Sequence, residues 1–180
     1  MQLLGFLRRN RHERTGYLLY GAAVRAARAP YFYAAIGVPD TLDGRFDLVG
    51  LHVYLLIRRL QAAPQPGPPL AQAVFDAMFN DMDVNLREMG VGDLSVGKRV
   101  RAMWEAFHGR SAAYQALLDA ADLEGLEAAL VRNVWRGAAG GQAGRLARLV
   151  VAQDAHLGRQ GLADLARGEV DFLAPEGVAA

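Results

Sequence analysis

The feature that most constrains this chain is an apolar segment between Phe46 and Gln61. Its apolar residues recur at helical spacing and cover nearly the whole circumference of a helix: Phe46, Leu48, Val49, Gly50, Leu51, Val53, Leu55, Leu56, Ile57 and Leu60. A helix that is apolar on all sides is stable only when other elements bury it. The segment's continuous apolar run is too short to cross a bilayer. The sequence therefore predicts a central buried helix with the rest of the chain packed around it.

The remaining sequence favours helices as well. No stretch alternates between apolar and polar residues in the way that a half-buried strand requires. The chain has 180 residues, of which 52% are hydrophobic and 22% are charged, so it can bury a core and is not intrinsically disordered. We predict an all-α fold, a compact multi-helix bundle with a long central buried helix and a charged helical hairpin. The expected organisation is a basic segment over residues 1–14, one helical domain over 15–175, and a tail over 176–180.

Glycine, proline and capping residues set the expected helix boundaries. A helix over 15–29 would begin at Thr15 and stop at Pro30, and residues 30–45 read as an ordered loop. The stretch 64–69, PQPGPP, reads as a linker, and a helix from Leu70 to Met89 would end at Gly90. Asp93 or Ser95 would cap the next helix, which Gly109 would interrupt. Further helices are expected over 123–136 and 146–157, and the last twelve residues are expected to fray.

Known chemical motifs are missing or incomplete. The chain has no cysteine, and its four histidines are far apart in sequence, so no metal or nucleophile motif forms. The stretch 81–85 resembles the start of a calcium loop but lacks the glycine and glutamate that such a loop needs. A net charge of +1 argues against a specific nucleic-acid binder. We predict no catalytic residues, no metal and no cofactor. The alternative left open is a helical carrier that binds haem through His52 or His108.

The first residues combine an apolar patch with a cluster of arginines. Residues 1–39 contain six arginines and one glutamate. An apolar patch followed by cations is typical of a segment that lies on an anionic membrane. The membrane-contacting residues would be Leu3, Leu4, Phe6, Arg8, Arg9, Arg11 and Arg14. The alternative is that the apolar residues pack on the body and the arginines are solvated.

One long segment resembles a known family. Residues 75–114, FDAMFNDMDVNLREMGVGDLSVGKRVRAMWEAFHGRSAAY, are similar to the signature of the ubiquinol–cytochrome c chaperone family. Residues 30–61 match its upstream block, and ALVRNVWR at 129–136 with GEVDFLAP at 168–175 resemble its bacterial C-terminal pattern. The resemblance covers most of residues 16–175. One departure is His108, where the family usually has tyrosine.

The resemblance implies a non-enzymatic assembly factor for the respiratory complex that oxidises ubiquinol. Mitochondrial members act on newly made cytochrome b at the matrix face of the inner membrane, with a small partner protein and the ribosome. Because this chain is short, we expect a bacterial, cytoplasmic protein at the inner face of the cytoplasmic membrane. The resemblance also implies a block of residues that bind a partner: Asp76, Asp81, Asp83, Asn85, Arg87, Glu88, Lys98, Arg99, Arg101, Glu105 and Arg110.

Two alternatives concern the predicted hairpin. Its acidic residues Asp81 and Asp83 either pair with Lys98, Arg99 and Arg101 across the hairpin and fix its geometry, or they form an exposed surface for a partner. Its methionines either belong to the core or line a groove for varied apolar clients, because methionine adapts to many apolar surfaces. The candidate groove residues are Met78, Met82, Met89, Met103 and Trp104.

Overall fold

Helices account for nearly all of the ordered structure. The computed structural model describes residues 2–138 and 141–178, and within them the side chains of residues 2–11 and of Leu94 lie outside the description. Within these ranges no strand occurs, so the all-α prediction is confirmed. The helices are α1 (Gln2–Ala27), α2 (Pro30–Ala34), α3 (Leu42–Gln61), α4 (Gly67–Glu88), α5 (Asp93–Asp119), α6 (Leu123–Val134), α7 (Ala143–Gly158) and α8 (Leu162–Arg167), followed by a short 3-10 helix (Pro175–Gly177).

Helix α3 is the central element, as the apolar pattern predicts. It packs against α1, α4, α5, α6 and α7, and Leu48, Leu56 and Leu60 are fully buried. The helix begins at Leu42, four residues earlier than Phe46, where the apolar pattern starts. Thr41 explains the earlier start, because its Oγ1 accepts a hydrogen bond from the backbone N–H of Gly44 at 3.1 Å.

The first part of the chain differs from the prediction at two places. Helix α1 begins at Gln2, so Thr15 lies in its interior and is not a cap. The Thr15 side chain is buried, and its hydroxyl lies 3.5 Å from the carbonyl oxygen of Ala166. The predicted loop over 30–45 contains helix α2, which Pro30 starts because its fixed φ angle suits a first helical position.

Helices α1 and α4 approach each other at Gly16. A Cβ atom built there would lie 2.6 Å from both the carbonyl carbon and the carbonyl oxygen of Ala73. Only glycine allows this backbone contact. One turn further along α1, the hydroxyl of Tyr20 donates to Asp81 of α4 at 2.6 Å. The Gly16 contact therefore fixes how closely the two helices pack beside Tyr20.

Helices α4 and α5 form the predicted hairpin. Gly90 turns the chain with a φ angle of +79°, and the backbone N–H of Val91 donates to the carbonyl oxygen of Leu86. Phe79 of α4 meets Phe107 in the middle of α5, with ring centroids 6.3 Å apart. Helix α5 continues through Gly109 without the predicted break.

The cap predicted for α5 is also wrong. The residue that precedes the helix is Gly92, and it offers no side chain to the first turn. Asp93 instead occupies the first turn itself, where its charge suits the positive end of the helix dipole.

The C-terminal segment is docked, although its composition predicts fraying. The backbone N–H of Leu173 donates to Gln153 Oε1 at 2.9 Å, and the backbone N–H of Asp171 donates to Gln160 Oε1 at the same distance. Pro175 is buried. Two glutamine side chains thus hold a segment that lacks regular secondary structure. No local sequence pattern predicts these two contacts.

Candidate functional site

An open groove of about 530 Å³ lies between α1, α3, α4 and α5. Its apolar wall consists of Val24 from α1, Phe46 and Val49 from α3, Met82 and Leu86 from α4, and Met103 from α5. Its charged lining consists of five arginines and two aspartates: Arg28, Arg45, Arg99, Arg110, Arg136, Asp43 and Asp81. A volume of this size is in the range of ligand-binding pockets, roughly 300–1,000 Å³.

The predicted methionines divide between the groove and the core. Met82, Met89 and Met103 line the groove, and Met89 is 51% exposed at its edge. Met78 is fully buried in the core and is not available to a client, so its place in the candidate groove is wrong. Trp104 is exposed but does not line the groove.

The predicted partner-binding residues are spread over the hairpin. Four of them line the groove: Asp81, Asn85, Arg99 and Arg110. The others lie outside it, with Asp83 half-buried and the rest exposed: Asp76, Asp83, Arg87, Glu88, Lys98, Arg101 and Glu105. The structure therefore separates the block into a groove side and an outer side.

The predicted ion pairs across the hairpin do not form within the described residues. Asp81 accepts the hydroxyl of Tyr20, which belongs to α1. Asp83 pairs with Arg87, one turn along the same helix, at 2.6 Å. Spacing of four residues on one helix brings such side chains together without any tertiary contact.

Of the three basic residues predicted to pair across the hairpin, only Arg101 forms an ion pair with a described side chain. Arg101 pairs with Glu105, again one turn away, at 3.0 Å. Among the described side chains, the ion pair that joins the two helices runs from Arg87 to Asp93, and the sequence did not suggest it.

A buried carboxylate lies behind the groove. The Asp47 side chain is 2% exposed, and it pairs with Arg110 and, at 2.8 Å, with Arg136 Nη1. Burial raises the pKa of this carboxyl, and the two arginines act in the opposite direction. Arg136 approaches Oδ2 without the alignment of a hydrogen bond, so this oxygen has a charge partner but no hydrogen-bond donor. Sequence reasoning missed Asp47, although an acidic residue within an apolar helix is the signal that marks it.

The groove arginines differ in how they are neutralised. Arg45 pairs with Asp40 at 2.6 Å. Arg110 also lies over the ring of Phe46, with its guanidinium carbon 5.7 Å from the ring centroid. Arg28 and Arg99 form no ion pair with any side chain that the structure describes.

His52 is a core residue. Its Nδ1 donates to the carbonyl oxygen of Leu48 at 2.8 Å, and its ring packs beside Phe32 and Phe172. Burial lowers its pKa to about 4, so the ring is neutral at pH 7. The space beside it is about 20 Å³, enough for a water molecule but far too small for a haem. The geometry therefore argues against His52 as a haem ligand.

An aromatic cluster covers the other side of the hairpin. His108 lies against Trp104, with ring centroids 4.2 Å apart, and against Phe75 at 5.5 Å. Trp104 is 45% exposed, and His108 is exposed too. The hairpin thus presents two different surfaces, a charged groove on one side and aromatic rings on the other. The sequence named Trp104 and His108 but did not pair them.

The predicted membrane segment falls mostly outside the described side chains. This applies to Leu3, Leu4, Phe6, Arg8, Arg9 and Arg11, whereas Arg14 is exposed on α1. Across the part of the chain that the structure describes, every helix is too short or too polar to cross a membrane. The same part of the chain contains no group of three histidine, aspartate or glutamate side chains arranged to hold a metal ion.

Three comparisons with known proteins agree with one another. The crystal structure of the Cbp3 homolog from Brucella abortus is similar over 99% of both chains, with a TM-score of 0.86 and 35% sequence identity. Ubiquinol-cytochrome-c reductase complex assembly factor 1 from Xenopus laevis is 25% identical over 116 residues, which cover 64% of this chain and 58% of the relative. The ubiquinol-cytochrome C chaperone family model matches residues 34–172. That match spans most of the chain, which therefore belongs to the ubiquinol-cytochrome C chaperone family.

Proposed function

We propose that this protein is an assembly chaperone for the ubiquinol–cytochrome c reductase complex and that its client is newly made cytochrome b. Family membership and the name of the Xenopus relative support the assembly role. The chain spans 58% of that relative's length, so the relative's whole activity is carried over here only as a proposal.

The groove is the observation that carries the proposal. Met82 of α4, Met89 directly after that helix and Met103 of α5 line one open surface that is mainly apolar. A chaperone for a membrane protein must shield apolar segments for a time and then release them, and methionine suits that task because it fits varied apolar surfaces. Asn85 and Arg99 at the same surface can bind polar atoms of a client backbone.

The proposed role is not catalytic. An enzyme site would gather titratable groups with perturbed pKa values in a pocket. The buried carboxyl nearest the groove, Asp47, is paired with Arg110 and Arg136 and is better explained as their support. The function therefore consists of binding a client and releasing it.

A co-purification experiment tests the proposal. The tagged protein would be recovered from detergent-solubilised membranes, and haem b absorbance with immunodetection would report cytochrome b. We expect cytochrome b with the natural protein and a loss of at least tenfold with Met103→Asp, which puts a charge into the groove. Val84→Asp is the matched control, because Val84 is 51% exposed on α4 and does not line the groove. Equal recovery with both variants would remove the groove from the proposal.

We further propose that the protein acts at the inner face of the cytoplasmic membrane, with the outer side of the hairpin facing the ribosome or a small partner protein. The exposed aromatic ring of Trp104 supports a second protein contact. The arginine-rich residues 1–14 support reversible attachment to anionic lipid.

Vesicle flotation tests the membrane part. The full chain should float with phosphatidylglycerol vesicles at low salt, and the protein without residues 1–14 should stay at the bottom. If both behave alike, the segment does not attach the protein to membranes.

A further inference from the structure

We infer that the groove selects an apolar client segment that carries a carboxylate. This inference rests on the proposed function, because it names the chemistry of the client that the same groove would hold. Neither the family description nor the names of the relatives mention a preference for a client with a carboxylate.

The charges of the groove lining favour an anionic group on the client. Five arginines and two aspartates line the groove. Arg28 follows the last residue of α1, Arg99 lies on α5, and neither forms an ion pair with a described side chain. A carboxylate that enters the groove therefore finds cations that are not already neutralised, whereas an ammonium group meets repulsion.

A buried carboxylate behind the groove holds two of its arginines in place. Arg110 and Arg136 share Asp47, whose side chain is 2% exposed. One buried carboxylate holds both guanidinium groups, so they are positioned before any client arrives. Asp43 also lies 3.9 Å from Arg136, but its side chain is 80% exposed, so it neutralises that arginine only weakly. Binding groups that are already in place lose less conformational entropy on binding.

The polar residues of the groove lining favour a polypeptide over a lipid headgroup. Asp43 and Asp81 line the same groove, and their carboxylates can accept hydrogen bonds from the N–H groups of a polypeptide, which a phosphodiester lacks. Asn85 adds an amide that can both donate and accept, which suits a peptide backbone. One carboxylate on an apolar polypeptide fits this mixed lining better than an anionic phospholipid does.

Fluorescence anisotropy tests the inference with the full chain. Three dye-labelled apolar helical peptides would be identical except for one central residue, which is glutamate, glutamine or lysine. We expect the glutamate peptide to bind at least tenfold more tightly than the lysine peptide, with the glutamine peptide between them. Added salt should reduce the difference, because it screens exposed charges.

A pair of variants locates the effect. Arg99→Glu should remove or reverse the preference, and Arg101→Glu should leave it unchanged. Both arginines are exposed on α5, but only Arg99 lines the groove. Melting curves of the two variants would show that both are folded.

Three results would overturn the inference. They are equal binding of the glutamate and lysine peptides, no binding of any peptide, and displacement of the glutamate peptide by phosphatidylglycerol vesicles in an Arg99-dependent manner. The last result would assign the groove to lipid. Cytochrome b recovery is measured separately, so a failed charge preference with intact recovery rejects this inference alone. A charge preference without cytochrome b recovery rejects only the proposed client.

Discussion

Helices α3 and α5, of 20 and 27 residues, differ in the share of their side chains that is buried. Eleven of the 20 residues of α3 are buried. Among the described side chains of α5, which has 27 residues, only Val96, Phe107 and Tyr114 are buried. The segment that most resembles the family signature is thus the less buried one. This difference indicates that α3 builds the fold, while α5 presents exposed surfaces. Helix α4, with nine buried residues, contributes to both.

The largest effect should come from a cavity in α3. Leu56 is fully buried, and Leu56→Ala should lower the free energy of unfolding by about 3 kcal/mol, within the roughly 2–5 kcal/mol that such cavities cost. Trp104→Ala on α5 should cost no more than about 1 kcal/mol, because Trp104 is 45% exposed. Urea unfolding of both variants measures the difference. Equal losses would contradict the division between the two helices.

The second prediction concerns pH and the core around α3. His52 has a pKa of about 4 in the fold against an ordinary value of 6.5, so the unfolded chain takes up a proton first as the pH falls. Stability from this residue is complete above about pH 6.5 and is lost between pH 6.5 and 4, by about 3 kcal/mol in total.

The matched variant is His52→Gln, which cannot titrate. Its unfolding free energy should fall less between pH 7 and pH 4 than that of the natural protein. Chemical denaturation at several pH values provides the comparison, since the carboxyl groups shared by both proteins cancel. Parallel pH profiles would mean that the buried ring does not control acid sensitivity.

The third prediction turns to the hairpin. Asp81→Lys combined with Asp83→Lys removes the Tyr20 hydrogen bond and the Arg87 pair, at a cost of about 1–2 kcal/mol, and leaves the chain folded. Assembly of the reductase complex should nevertheless be lost, because two cations replace the acidic side of the hairpin. Complementation of cells that lack the chaperone, scored by haem b absorbance, measures it.

The control for this variant changes charge by the same amount elsewhere. Glu124 and Glu176 are both exposed, and neither belongs to the hairpin or lines the groove, so Glu124→Lys with Glu176→Lys should keep full activity. Loss of activity in the control would attribute the effect to net charge. Outright unfolding of the hairpin variant would mean that its acids serve only the fold.

The smallest effect should come from the ion pair that joins α4 to α5. Arg87 contacts Asp83 and Asp93 at an exposed site, so Arg87→Ala should lower the free energy of unfolding only slightly, by less than any variant above. The difference from the natural protein should vanish in high salt, since exposed pairs are screened. A loss comparable to that of Leu56→Ala would show that the hairpin is as integrated into the core as α3 is.

The sequence contains enough information for the core but not for the groove. An apolar circumference identifies α3 as central, because burial follows directly from hydrophobic periodicity. Groove residues such as Met82 and Met103 were named for the flexibility of their side chains. Arg28, Arg45 and Arg136 were missed, because their meeting depends on how four helices pack and no local spacing encodes it.

The errors at the ends of elements have a common cause. Thr15 has the residue type of a cap, but it lies inside α1, where its buried side chain contacts the carbonyl oxygen of Ala166. The segment around Leu173 has the composition of a frayed end, but Gln153 holds it. Both contacts join residues far apart in sequence, so reasoning about short windows could not find them.

The Gly16 contact has a consequence for heritable variation. Any side chain at this position would push α1 and α4 apart and would shift the groove residue Tyr20 relative to Asp81, although neither of these two residues is substituted. Such alleles would behave as conditional mutants, in which growth by respiration fails at raised temperature while the protein is still made. A genetic screen for respiratory defects would then recover changes at a remote glycine as readily as changes in the groove itself.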